Sequence, residues 1–352
     1  MSLAPTRFIT LLAASALLAG GASAAGLPQI DASTSLLVVS PHPDDETLCC
    51  AGMIQRVRHA GGQVSVVWIT SGDAAWVDLL LMSRSLFPSP ARARELGERR
   101  MSEARAATAR LGVAPASQLF LGYPDGGIEQ LLGAAHRAMP YTSRTTAVAA
   151  VPYADALYPG HPYTGEALER DFLAVLERVR PTLILAPSEL DAHPDHRSAG
   201  RLTQRALARY RGSTAVRYWI VHGGEGWPSP RALLPGIPLT PAPEALRLAP
   251  AAFELTLAEE DGKLGALEAY PTQLRVMAPF LLAFVRTNEL FSLRADFAST
   301  QPQAHRANRG AHPEGLTRDA VAGASDRGGG RAPRRCSRAA DRARRAHASG
   351  GG

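Results

Sequence analysis

Cysteine is scarce: the 352-residue chain has three, Cys49, Cys50 and Cys336. That excludes a small fold stapled by a disulfide framework and leaves stability to a core. Adjacent cysteines on a helix do not readily bridge, given the usual separation of bridged Cα atoms. Cys49 and Cys50 are therefore expected as small buried apolar residues. Long apolar runs are lacking too. No stretch after the N-terminal segment reaches the roughly 20 residues of a membrane helix, so no transmembrane anchor is expected. No cysteine follows that segment, which removes the expectation of a lipoprotein anchor. There is no internal repeat. Positive charge is missing from the body. The net charge is +6, but residues 301–352 hold eleven arginines against four acidic residues, which leaves the remainder near −1. The basic balance belongs to the tail, and no nucleic-acid partner is expected.

The N-terminus has the three parts of an export signal. Arg7 is a positive start, residues 8–18 are apolar, and Ala22-Ser23-Ala24 is a small-residue cleavage site. A cleavable signal peptide over residues 1–25 and a secreted or periplasmic product are expected. Apolar runs then alternate with helical patterns. Strands are expected at 36–39, 64–70, 118–121, 183–186 and 216–221. Helices are expected at 47–60, 90–111, 164–179 (with Thr164 as N-cap), 198–210, 259–270 and 278–284. Such alternation builds βαβ units. The expectation is an α/β, Rossmann-like, mostly parallel sheet flanked by helices, in one domain over residues 26–300. The irregular, Pro-containing stretch 128–163 is expected to face substrate, because structureless loops of that length are uncommon in compact domains unless functional. Residues 301–352, rich in Arg, Ala and Gly, are expected to be a disordered basic tail.

Two strand ends carry the chemistry. The run Ser35-Leu36-Leu37-Val38-Val39 stops at Ser40-Pro41-His42-Pro43-Asp44-Asp45-Glu46. Thr182-Leu183-Ile184-Leu185-Ala186 leads to Asp191-Ala192-His193-Pro194-Asp195-His196. Ligands in open α/β sheets sit beyond the carboxyl ends of strands. Each proline restrains the histidine before it to extended backbone. Crowded carboxylates raise one another's pKa, a cost that a divalent cation removes. Of the neighbouring Asp44 and Asp45, one can ligate while the other faces substrate or water. His193 and His196 allow the same division. Two histidines and one aspartate form a donor set suited to Zn²⁺ with an open position, the mark of a catalytic site.

These two motifs resemble the PIG-L/LmbE family of zinc-dependent N-acetylglucosaminyl deacetylases and related amidases. The similarity runs over residues 35–295. It extends to Ser71-Gly72-Asp73, Arg100-Met101-Ser102-Glu103, Leu111-Gly112-Val113, Leu121-Gly122-Tyr123-Pro124-Asp125-Gly126 and Tyr270-Pro271-Thr272-Gln273. Carried over by position, the resemblance implies His42, Asp45 and His196 as metal ligands, with one Zn²⁺ (or another divalent metal) per chain. It implies Asp44 as general base and His193 as its partner in stabilising or protonating the intermediate, and the chemistry of amide hydrolysis would have zinc and a protonated His193 hold the oxyanion. The substrate it implies is an N-acylated sugar or glycoconjugate. Cys49-Cys50-Ala51-Gly52 departs from the more Gly-rich run of relatives.

Other residues carry weaker signals. Arg100 and Asp125 are expected to contact substrate. An Arg100–Glu103 ion pair across one helical turn competes for the first, and a simple Pro-Asp-Gly turn for the second. His161 and Tyr163 are within the excursion that would reach a sugar, and Glu46 would favour the N-terminus of the next helix. A metal-dependent carbohydrate-binding protein without turnover is the alternative from another class, and a metal phosphoesterase is a third. The sugar, its aglycone and acyl group, and the oligomeric state are not encoded in any periodic signal.

Overall fold

The computed structural model describes residues 26–295. The expected signal peptide, the tail and Cys336 lie outside the described residues. Five parallel strands form the main sheet: β1 (Ser35–Ser40), β2 (Gln63–Thr70), β3 (Gln118–Tyr123), β4 (Leu183–Pro187) and β5 (Ala215–Trp219). Their order is β3-β2-β1-β4-β5. Leu36, Leu37, Val38 and Val39 have no exposed surface. A central parallel strand is covered on both faces, which is why this one reads as an unbroken apolar run.

The chain steps outward from β1 to β2 and β3, then returns to place β4 on β1's other side. Right-handed crossovers therefore put α1 (Asp45–His59) and α3 (Pro90–Arg110) on one face. The reversed direction puts α5 (Gly165–Val179) and α6 (Pro194–Leu207) on the other. The carboxyl ends of β1 and β4 splay apart at this reversal and leave a crevice. Both His-Pro-Asp motifs follow those two ends.

Local chemistry sets the helix ends. Thr164 Oγ1 accepts from Ala167 N at 3.2 Å and caps α5. Pro90 starts α3 behind an Ser89 cap, using a position whose N–H has no helical partner. Helix α6 begins at Pro194, four residues earlier than expected, with His193 as its N-cap. The late helices run Leu257–Leu267 and Pro271–Leu282, in place of 259–270 and 278–284. The second is broken at Met277 (φ −129°) just before Pro279, whose ring cannot donate to the helix.

Three features lay outside the sequence expectation. A short helix, Trp76–Ser83, follows β2. A five-residue helix, Ile128–Leu132, opens the excursion. Ala251–Glu254 and Asn288–Phe291 pair as a small antiparallel sheet. In chain order the short helices are α2 (Trp76–Ser83) and α4 (Ile128–Leu132), the late ones α7 (Leu257–Leu267) and α8 (Pro271–Leu282), and the added strands β6 and β7.

Two expectations are corrected. Cys49 and Cys50 are buried as expected, but their sulfurs are joined as a vicinal disulfide across a Cα–Cα distance of 3.7 Å. The usual Cα separation did not apply because consecutive residues close a small ring instead of joining two segments. The excursion 128–163 is not structureless: it folds on itself through Tyr163 N to Ala149 O (2.9 Å) and Val151 N to His161 O (3.0 Å). Tyr153 and Tyr163 are buried in the core. Among the described residues no helix is long and apolar enough to cross a membrane.

Candidate functional site

The first motif is a clamped turn. Asp44 has φ 119°, a region in which L-residues are strained. Its neighbours hold it there. Pro43 O accepts from Arg100 Nη2 and from Gln273 Nε2, both at 3.0 Å. Asp44 N donates to Glu46 Oε2 at 3.2 Å. Glu46, with no exposed surface, also accepts from Trp68 Nε1 (2.9 Å), Thr47 Oγ1 (2.6 Å) and the Tyr270 hydroxyl. Its role is scaffolding of the turn, beyond any dipole effect.

Arg100 does not pair with Glu103. Its Nη1 donates to Gly72 O (2.9 Å), and Nη2 also reaches Asp44 Oδ2 at 3.4 Å. Glu103 instead accepts from Thr272 Oγ1 at 2.6 Å. The arginine is 4% exposed and borders the cleft, so one guanidinium both braces Asp44's turn and faces the interior of the site.

Three donor atoms converge. His42 Nδ1 is 3.1 Å from Asp45 Oδ2. His196 Nε2 is 3.0 Å from the same oxygen and 3.3 Å from His42 Nδ1. Ligands at tetrahedral zinc-like bond lengths are roughly 3.3–3.5 Å apart, so the triangle is the right size for one cation with small adjustment. The far nitrogens are also engaged. His196 Nδ1 meets Asp191 Oδ2 at 3.1 Å. His42 Nε2 meets Asp125 Oδ1 at 3.3 Å and Asp195 Oδ2 at 3.4 Å. Each imidazole thus has a carboxylate behind it and a second nitrogen in front that a cation would take in place of a proton, the arrangement that orients metal-binding histidines. His42, Asp45 and His196 could hold a metal on this geometry.

The electrostatics follow from crowding. Burial would raise the Asp45 carboxyl, but His196 and His42 hold it well below the usual range. Burial disfavours a charged His196, yet Asp191 and Asp45 raise it to about 9. Asp44 is pushed up to about 8, first by burial and then by Asp45, with Arg100 opposing. His193 goes the other way. Burial, then His42 and His196, push it down to about 3. Its Nδ1 accepts from Asp195 N at 3.2 Å, which leaves the proton on Nε2 as a donor. His193 thus turns an Nε2–H, rather than a lone pair, away from the helix it caps.

The cleft has a volume of about 280 Å³. His42, Asp44, Asp45, Arg100, Asp125, His193 and His222 form its polar wall, and Leu48, Ala74, Ala75, Val221, Met277 and Phe280 its apolar one. All seven site residues expected from the sequence are in or against it: His196, the one absent from the lining, lies fully buried behind His42 and Asp45. Asp125 also accepts from Ala74 N at 2.8 Å. His161 and Tyr163 are elsewhere. His161 pairs with Asp171 at 2.8 Å, and Tyr163 donates to Gly122 O at 3.2 Å. No lining residue comes from 128–163 or 223–250.

The sequence reading left three residues without roles. Asp191 accepts from His193 N, Val221 N and His222 N at 2.8–3.0 Å, as well as from His196. Asp195 accepts from Gly126 N at 2.7 Å and Ile128 N at 3.2 Å. His222 stacks on Phe280 with ring centroids 5.5 Å apart and follows β5. The strand-end rule that found His42 would have found it too. Met277 and Phe280 left no such signal.

Fold and site together define a parallel α/β protein with a candidate His-Asp-His metal centre at the crevice where strand order reverses. Residues 37–207 match the PIG-L family, described as GlcNAc-PI de-N-acetylase. The 1D-myo-inositol 2-acetamido-2-deoxy-alpha-D-glucopyranoside deacetylase of Nocardia farcinica is 30% identical over 329 residues, spanning 83% of this chain and 97% of that protein. The chain belongs to the PIG-L family. The protein of the same name from Nakamurella multipartita is 29% identical over 257 residues, 70% of this chain and 75% of that one. Among solved structures, N,N'-diacetylchitobiose deacetylase from Pyrococcus horikoshii matches with a TM-score of 0.42 at 18% identity, covering 73% of this chain and 82% of that one.

Proposed function

We propose that the protein is an exported, zinc-dependent deacetylase that hydrolyses the N-acetyl group of an N-acetylglucosamine-type sugar or glycoconjugate. The observation that carries this reading is the 3.0–3.3 Å triangle of His42 Nδ1, Asp45 Oδ2 and His196 Nε2 beside the strained Asp44. Two relatives named as deacetylases of an acetamido-deoxy-glucopyranoside support the substrate class. His42, Asp45 and His196 would hold a divalent ion, which would supply Lewis-acid polarisation of the amide carbonyl and acidify the attacking water.

The chain's own residues do the rest. Asp44, held beside the triangle by Arg100 and Glu46, removes the proton from the attacking water. The water oxygen bonds to the carbonyl carbon. The Nε2–H of His193 donates to the carbonyl oxygen as negative charge develops there. Asp44 then returns its proton to the amine nitrogen as the C–N bond breaks, which releases acetate and the free amino sugar. Arg100 and Glu46 keep Asp44 in its turn throughout. Export is proposed from the N-terminal Arg7, apolar run and Ala22-Ser23-Ala24 site.

The test is an amine-release screen of the zinc-loaded protein on N-acetylated monosaccharides, oligomers and envelope glycans. Release that needs metal supports the reading. No release across the panel from folded, metal-loaded protein refutes it. Mature protein beginning near Ala25 or Gly26 in a cell-envelope or culture fraction checks export.

A further inference from the structure

The cleft wall holds an imidazole to which the hydrolytic reading gives no work. His222 follows β5 and lines the cleft. Its backbone is anchored: N donates to Asp191 Oδ2 at 3.0 Å, and O accepts from Ala192 N at 2.8 Å. Its ring is not. Among the described residues neither ring nitrogen has a hydrogen-bond partner. Phe280 stacks on the ring at an interplanar angle of 12°, and the rings of His193 and His196 stand 5.2 and 4.8 Å away, centroid to centroid. Polar atoms in such enclosed places are met by a partner, whether protein, water or ion.

The cation site is within reach. One nitrogen each of His196 and His222 and one carboxylate oxygen of Asp45 lie within 4.8 Å of one another. This set shares two members with the triangle of His42, Asp45 and His196. His196 offers Nε2, because Asp191 meets its Nδ1. Ring spacing agrees. With zinc–nitrogen bonds of about 2.0–2.1 Å, two imidazoles on one tetrahedral ion have centroids roughly 5 Å apart. His42 and His196 are 5.2 Å apart, and His196 and His222 4.8 Å. His193 is also 5.1 Å from His196, but the cap of α6, through Asp195 N, already accounts for the placement of its ring.

We propose that His222 is a fourth protein ligand of the cation held by His42, Asp45 and His196, and the one that a metal-binding group entering the cleft displaces. The inference rests on the metal reading above and adds to it a donor from beyond a third strand. The three histidines differ in what stands behind them. Asp125 and Asp195 back His42, and Asp191 backs His196; such carboxylates fix a ring and strengthen it as a ligand. The His222 ring has no carboxylate bonded to it, so it is the weakest of the three. It can turn about its side-chain bonds while its backbone stays on Asp191 and Ala192. Release of His222 restores the open position that a catalytic zinc site needs.

The test counts imidazoles and needs no turnover. X-ray absorption at the zinc edge, on the full chain loaded with one zinc and no added ligand, is expected to report three histidines. His222→Phe, which keeps a ring on Phe280, is expected to report two, and His193→Gln still three. Acetohydroxamate, a bidentate metal-binding relative of an amide, should lower the wild-type count from three to two. Chelator competition gives a second readout: His222→Phe should weaken zinc binding about tenfold or more, the least that loss of a group supporting a ligand costs. Two imidazoles in the ligand-free wild type, a count that needs no variant, overturn the inference and leave the metal reading standing. So does a count of three that falls in His193→Gln instead of His222→Phe. Three imidazoles that persist with acetohydroxamate bound overturn the displacement. A folded chain that binds no zinc overturns this inference and the zinc-dependent function together.

Discussion

Replacing Asp191 by Asn tests whether the site depends on the carboxylate behind His196. Asp191 Oδ2 accepts three bonds, from His196 Nδ1 (3.1 Å), Val221 N (2.9 Å) and His222 N (3.0 Å), and Oδ1 accepts one from His193 N (2.8 Å). Three donors will hold the Asn carbonyl at the Oδ2 position. The amide NH₂ then faces the His193 N–H, donor against donor. One orphaned backbone donor costs about 1–3 kcal/mol, a few degrees of Tm in a domain of this size. The larger effect falls on metal. Without a charge behind it His196 is a poorer ligand, and loss of such a partner lowers metal affinity about 10–100-fold, or about 1.4–2.7 kcal/mol. Chelator competition measures the affinity and thermal unfolding the stability. A folded D191N protein that binds zinc as tightly as wild type would refute the reasoning, because Asp191 would then be a loop brace alone.

Three further outcomes follow from the same geometry. Asp44→Asn should lower kcat by about 10²–10⁴ with zinc still bound at wild-type stoichiometry; loss of metal along with activity would make Asp44 a ligand. Gly72→Ala should destabilise by about 1–2 kcal/mol from its φ of +72° alone. Its Cβ would also run into Arg100 Nη1, so activity should fall further than stability does, which kinetics and melting on one sample would show. Arg56 grips Glu259 at 2.6 Å through two nitrogens. Burial raises the Glu259 carboxyl, but the Arg56 hydrogen bond leaves it net below its ordinary value of 4.5. The stability from that pair is therefore fully present above pH 4.5 and lost as pH falls through the lowered value. Arg56→Gln should make the acid limb of the stability–pH curve shallower; an unchanged limb would show that the pair contributes nothing.

Much of the fold was legible because its signals are local. Strands β1 and β4 are buried on both faces, so their apolar runs stand out. Thr164 and Pro90 mark helix starts by their own hydrogen-bonding capacity. The misreadings come from non-local causes. Helix α2 lacks polar periodicity because its exposed side is apolar. Strands β6 and β7 pair across 34 residues and are only four residues long each. The excursion 128–163 looked like a substrate loop by length, but Tyr153 and Tyr163 fold it into the core, where Tyr153 donates to Asp73.

The sequence by itself determined which residue types stand at the ends of β1 and β4, because prolines and strand-terminal polar residues act over a few positions. It therefore placed His42, Asp44, Asp45, His193 and His196 at one site. Only the tertiary structure decided how those residues share the work. Which imidazole nitrogen faces the centre depends on Asp125, Asp191 and Asp195, and the lowered pKa of His193 depends on burial and on imidazoles from other elements. The strain at Asp44 is held by Arg100 and Gln273, 56 and 229 residues away in sequence. Hydrogen bonding and desolvation depend on distance in space, and no local pattern in the chain records that distance.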